Sequence, residues 1–229
     1  MSTPTFRPED YLDLQQTAHA ALFEGVERVW DVLPRIEAYL RERLKPGCEG
    51  KKVGEAFIGP DVFIGAGTVV EPGAVIKGPA WIGANCEIRT GAYVRENVIV
   101  GDGVVLGNSC EFKNAILFNG CQVPHYSYVG DSVLGHRAHL GAGVILSNFK
   151  LAGDEIVIRA DGAAIATGLH KFGAIVGDGV EIGCQAVLNP GSLIGRESVL
   201  YPATIWGGVL PARTVVKNRP EYVFQPRRF

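Results

Sequence analysis

From Ile58 to Leu106 an aliphatic residue returns at every sixth position: Ile58, Ile64, Val70, Ile76, Ile82, Ile88, Val94, Val100 and Leu106. A helix face repeats at 3.6 residues and a half-buried strand at 2, so neither accounts for this spacing. A period of six suits a coil of short strands, in which each hexad forms one flat side and several hexads close a turn. One aliphatic side chain per side then points into a narrow core, contributing about 1.5–3 kcal/mol when buried. It stacks on its equivalent in the next turn. Glycine follows the aliphatic residue at Gly59, Gly65, Gly83, Gly101 and Gly107, where a corner with φ > 0 carries no Cβ penalty. The expected architecture is an all-β solenoid, a parallel β-helix of hexapeptide repeats, whose outer walls are available for chemistry.

The 229 residues accommodate one such solenoid and an appendage. The expected division is an N-terminal helical segment at 1–47, the β-helix at 48–216 and a basic tail at 217–229. In the first segment Tyr11, Leu14, Ala18, Ala21 and Leu22 are spaced for one apolar helix face. Pro34 suits the start of a last helix over Arg35 to Leu44. A helical cap over the open end of the coil, or a packing element between subunits, is the simplest role. The hexads run to Phe112, stumble around Asn119 to Tyr128, resume at Leu134, Leu140 and Leu146, and break again from Phe149 to Phe172. Within this second break Asp161-Gly162 predicts a two-residue hairpin turn. The period then returns at Val176, Ile182, Leu188, Ile194 and Leu200.

A formal net charge of −2 gives no general attraction to nucleic acid, and no apolar run reaches the ~18 residues of a membrane span. Met1 to Phe6 lacks the pattern of a secretory signal, and five cysteines without a CxxC point to neither disulfides nor zinc. A cytoplasmic protein without a metal is expected.

Interruptions in a solenoid are where loops leave the wall, and the unusual side chains cluster there. They are Glu111, Lys113, His125, Tyr126, Tyr128, Asp131, His136, His139, Asn148 and Lys171, preceded by Arg95. Arg95 and Lys113 are 18 residues apart, so three hexads per turn place them one above the other. Such a cationic column suits a phosphate, and a nearby imidazole suits general-base work at neutral pH.

The ordered set Gly107-Asn108-Ser109-Cys110-Glu111-Phe112-Lys113-Asn114, His125-Tyr126-Ser127-Tyr128-Val129-Gly130-Asp131, Leu140-Gly141-Ala142-Gly143 and Ser147-Asn148 carries a family resemblance. It resembles the C-terminal acetyltransferase domain of the bifunctional enzymes that make UDP-N-acetylglucosamine, where glucosamine 1-phosphate is N-acetylated. The loop ending Thr167-Gly168-Leu169-His170-Lys171-Phe172 looks more like the archaeal-type sugar-1-phosphate nucleotidyl/acetyltransferases. The resemblance spans about Gly59 to Arg219 and does not include a nucleotidyltransferase domain.

What the resemblance implies is a left-handed β-helix, assembled as a homotrimer with sites between subunits, and an acetyl-CoA-dependent N-acetyltransferase of amino-sugar 1-phosphates. His125 is then the general base, oriented by Glu111, with Asn148 placing the reacting groups. Arg95, Lys113, Tyr128, His139 and Lys171 are the implied substrate ligands. Ala142, Phe149, Cys184, Pro202 and Arg219 line the implied CoA track, the N–H of Ala142 meeting the thioester oxygen. Several positions depart from that family: His139 stands for an asparagine, Phe149 for a tyrosine, Cys184 for a serine and Pro202 for an alanine.

Other readings remain. His136 and His139 invite comparison with the γ-class carbonic anhydrases, but a third ligand is not evident. A different acceptor, such as galactosamine 1-phosphate, fits the same chemistry. From another class, the coil would be a non-catalytic oligomerising or regulatory subunit that binds a sugar phosphate or a partner transferase.

Overall fold

A computed structural model describes residues 5–219, 221 and 223–227. Residues 1–4 of the expected N-terminal segment and 220, 222, 228 and 229 of the expected tail lie outside the described residues. The chain winds into the left-handed parallel β-helix that was expected, with three walls around one aliphatic core. The first wall is a 9-stranded sheet running from Lys51–Lys52 to Val215–Val216. The second and third walls merge into one 15-stranded sheet, because the strands Glu111–Leu117 and Tyr128–Leu134 continue round the corner between them. Ile64, Val70, Ile76, Ile82, Ile88, Val94, Val100 and Leu106 are all fully buried, as the period of six requires.

Register explains the stumble in the repeat. Val69 pairs with Glu87 and Glu87 with Val105, eighteen residues on each time, whereas Val105 pairs with Gln122 and Gln122 with His139, seventeen on. The missing residue lies at the corner between the second and third walls. Val94 and Val98 have three residues between them, but their partners Phe112 and Ala115 have two. Asn114 (φ 46°) turns this tighter corner in one coil and Asp131 (φ 47°) in the next, residue types that tolerate the left-handed region. The defect therefore precedes the stretch where the hexads look disturbed.

The glycines after the aliphatic positions do not supply the corners. The left-handed residues stand elsewhere, for example at Gly67 (φ 74°), Asn85 (φ 55°) and Gly103 (φ 66°). A Cβ on Gly65 would lie 2.7 Å from the carbonyl carbon of Gly83, and one on Gly107 would collide with the backbone of Pro124. Close approach of one coil to the next, rather than positive φ, is what requires them.

The helical segment differs from expectation in its first part. It keeps the expected last helix, at Ile36–Arg43, but ahead of that helix it replaces one amphipathic helix with a turn of α-helix at Pro8–Tyr11 and 3-10 turns at Leu14–Gln16, Ala20–Phe23 and Val29–Arg35. It is not an end cap but a strap along the third wall. There Ile99, Ile116, Val133, Ile175 and Leu193 are fully buried, although they stand between the inward positions of their strands. Phe23 meets Phe118 edge-on at 5.7 Å, Trp30 meets Phe172 at 6.2 Å, and the N–H of Asp178 donates to the carbonyl of Tyr11 at 3.0 Å. The second break is a hairpin, Val157–Ala160 against Ala163–Ala166, turning at Asp161 and Gly162, both with positive φ. No helix among the described residues is long and apolar enough to cross a membrane.

Removing the fully buried Trp30 as Trp30→Ala is expected to cost about 3–5 kcal/mol of unfolding free energy in urea titration, the range for truncating a buried aromatic. His19, on the strap's inner side against Trp81, is 3% exposed, and desolvation lowers its pKa from 6.5 to about 4. The folded ring resists a proton that the unfolded chain accepts, so stability is full above pH 6.5 and falls as pH drops towards 4. The loss should reach roughly 3 kcal/mol, and His19→Gln should flatten that part of the pH–stability curve.

Candidate functional site

Two edges of the second wall carry the candidate side chains. Along the edge shared with the first wall, each coil turns through a left-handed residue: Ser109, Tyr126, Gly143, Gln185 and Ala203. The residue just before each forms a file. Asn108 pairs with His125; the N–H of Gly143 donates to the His125 carbonyl at 3.0 Å, which sets Ala142 in the next coil. Gln185 donates to the Ala142 carbonyl and Ala203 to that of Cys184, each at 2.8 Å, so Cys184 and then Pro202 follow. Asn218 closes the file on the Pro202 carbonyl at 2.9 Å, with the exposed Arg219 beside it. The backbone N–H groups of Ala142 and Cys184 have no acceptor among the described residues. Beside this file lies a shallow groove of about 290 Å³, lined by His139, Ile182, Cys184, Leu200, Tyr201 and Pro202 among others.

The opposite edge carries the charges. The N–H of Arg95 donates to the Phe112 carbonyl at 2.8 Å, which stacks Arg95 beside Lys113 as the 18-residue spacing predicts. Both cations are matched within the chain. Arg95 donates to Glu111 at 2.9 Å and to Glu96 at 3.3 Å, and Lys113 lies 3.5 Å from Asp131. Asp131, 4% exposed, binds the network together: Oδ1 accepts from Asn114 Nδ2 at 2.9 Å and Oδ2 from Asn148 Nδ2 at 2.5 Å. Asn148 Nδ2 also donates to the Tyr128 hydroxyl at 3.1 Å. Burial first, then the Asp131 and Glu111 carboxylates, push the Tyr128 phenol above its usual value, which keeps it protonated. Lys171 is exposed and forms a one-residue antiparallel bridge with Phe149, the neck of the inserted loop.

Glu111 and Tyr128 occupy paired positions at the start of the second wall, between the two edges. The expected hydrogen bond from the His125 imidazole to Glu111 is not made; the carboxylate accepts from Arg95 instead. His125 is exposed, its ring 6.4 Å from that of Tyr126, and its imidazole has no hydrogen bond among the described residues. His139 differs: it stands on the first wall with Nδ1 2.7 Å from Glu181 Oε2. No cluster of three or more potential metal ligands occurs among the described residues.

Three residues given no role from sequence matter here: Asp131, Glu96 and Glu181. Asp131 had a signal, because an Asp seventeen residues after Asn114 meets it when two consecutive corners are each one residue short. Glu181 meets His139 only across the inserted loop, forty-two residues away, where spacing alone gives no warning.

The family model described as the GMPPB C-terminal domain matches residues 76–168. A bifunctional sugar-1-phosphate nucleotidylyltransferase/acetyltransferase of Sulfurisphaera tokodaii is 34% identical over 97 residues, 42% of this chain and 24% of that protein. The bifunctional protein GlmU of Methanococcus maripaludis is 30% identical over 120 residues, 52% of this chain and 29% of that protein. The chain resembles their C-terminal, acetyltransferase-like part. It thus spans about a quarter of the length of these curated relatives. A solved Arabidopsis UDP-N-acetylglucosamine acyltransferase aligns with a TM-score of 0.47 at 15% identity, covering 75% of this chain and 67% of that one.

Asp131→Ala would strip the acceptor from two amides and the counter-ion from Lys113. A loss of about 2–3 kcal/mol in chemical denaturation is expected, the cost of removing a charged hydrogen-bond acceptor from buried donors.

Proposed function

We propose that this chain is an acetyl-CoA-dependent N-acetyltransferase acting on an amino-sugar 1-phosphate by direct transfer. The observation that carries the reading is the file from His125 through Ala142 and Cys184 to Pro202, with unpaired N–H groups beside an apolar groove. A pantetheine arm needs that combination: apolar contact along its length and donors for its amide and thioester oxygens. The residues fit it, and Arg219 at the far end of the file suits the phosphates of the nucleotide part.

His125 accepts a proton from the amine nitrogen as the C–N bond forms and the C–S bond breaks; no covalent intermediate on the protein is required. Ala142 directs its free N–H at the thioester oxygen as negative charge gathers there. At the other edge Arg95, Lys113 and Lys171 hold the sugar phosphate, with Tyr128 against the sugar; His139 meets the acceptor from the first wall. A phosphate arriving at Arg95 competes with Glu111 for the guanidinium, and the carboxylate so released turns to the imidazole. Substrate binding and orientation of the base are thereby linked. Asn148, tethered to Asp131 and Tyr128, keeps its carbonyl oxygen for the reacting groups. One flat wall encloses a substrate on one side only, so a homotrimer supplies the second side of the cleft.

Thiol release from acetyl-CoA, measured with glucosamine 1-phosphate and galactosamine 1-phosphate, tests the reading. His125→Ala should lower turnover by about 10²–10⁴, the usual worth of a general base, without altering the oligomer. Arg95→Ala should raise KM for the acceptor about tenfold with a smaller change in kcat. Failure of every amino-sugar phosphate to release CoA from the wild-type protein would contradict it.

A further inference from the structure

His139 and Glu181 form the one imidazole–carboxylate pair among the described residues. A carboxylate only accepts, so the His139 Nδ1 carries a proton and donates it to Glu181 Oε2 at 2.7 Å. In the neutral ring Nε2 is then a lone pair turned away from Glu181, the arrangement that prepares a histidine to take a proton. Among the described residues His125 has no such partner.

The position is as informative as the pairing. His139 is three residues before Ala142, about 10 Å along an extended chain. Ala142 stands one coil from His125 in the file. His139 and Glu181 also line the groove that runs on past Cys184 to Pro202. On the neighbouring strands the register sets neutral Gln122 on one side of His139 and Glu181 on the other. The further titratable groups on the groove are Cys184 and Tyr201.

An alkyl amine meets the enzyme largely as an ammonium, which must lose one proton to become a nucleophile and a second once the amide has formed. One imidazole serves one of these. We propose that His139, held by Glu181, is a second proton acceptor of the site, taking the proton that the acceptor's ammonium group carries as it docks. This inference rests on N-acetyl transfer at the same site. The ammonium gives its first proton to His139 Nε2, and the free nitrogen attacks the thioester carbon. His125 takes the second proton as the C–N bond forms and returns it to the departing thiolate when the C–S bond breaks. His139 releases its proton to solvent, so the balance is acetyl thioester plus ammonium giving amide, thiol and one proton. Glu181 is a positioning residue that acts through the ring.

The test is the pH dependence of CoA release with acetyl-CoA and glucosamine 1-phosphate. At neutral pH His139→Gln should lower kcat/KM by about 10–100-fold. In alkaline buffer, where the amine arrives without its extra proton, the variant should return to within about threefold of wild type. Glu181→Gln should show a smaller loss with the same alkaline recovery, while His125→Ala stays depressed throughout. CoA affinity by calorimetry should be unchanged in His139→Gln. A neutral-pH rate equal to wild type, a loss that persists undiminished in alkali, or a parallel fall in CoA affinity would overturn the assignment. Wild-type protein that releases no CoA at any pH would overturn the transfer reading itself, and the two failures are thus distinguishable.

Discussion

The structure depends on a parallel ladder in which every wall residue has a fixed neighbour one coil away. Backbone hydrogen bonds set that register, and a continuous stack of buried aliphatic side chains holds the coils in line. Gly65 and Gly107 belong to the same constraint, since a side chain at either would push the next coil away. Function then becomes a matter of columns. Residues far apart in the chain, such as Ala142 and Cys184, become neighbours because an inserted loop leaves the register of the wall intact.

The strap decides which walls are open. With the third wall buried under the N-terminal segment, the outward chemistry falls to the first and second walls and to the edges that bound the second. Trp30 against Phe172 joins the strap to the neck of the inserted loop, and Arg28 reaches the Ala166 carbonyl in its hairpin at 3.2 Å. Asn148 and Lys171 sit at that neck, so the segment outside the repeat bears on how the charged edge is held. The two one-residue deletions act at the same place: they bring Asn114 and Asp131 together and make the acid that anchors Lys113 and Asn148.

The solenoid was legible in sequence because its period differs from those of helix and strand, each hexad returning one side chain to the core. The columns at Arg95 and Lys113 followed from the same arithmetic. Of the helical segment only the last helix, after Pro34, was legible; ahead of it, spacing that suits one apolar helix face is broken into 3-10 turns by packing along a wall. Charge pairing was also hidden. Whether Glu111 turns towards Arg95 or His125 is a choice of side-chain direction on one wall, which spacing does not encode. The His139–Glu181 pair required the exact length of the loop between them.

In the proposed transfer a thioester is brought to His125 along the edge formed by Ala142, Cys184 and Pro202. The most direct measurement is a crystal structure of the full chain grown with CoA. Density for the pantetheine arm is expected along that edge, its sulfur beside His125 and one of its oxygens on the N–H of Ala142. An arm bound on another surface, or an edge that stays empty while CoA occupies the crystal elsewhere, would contradict it.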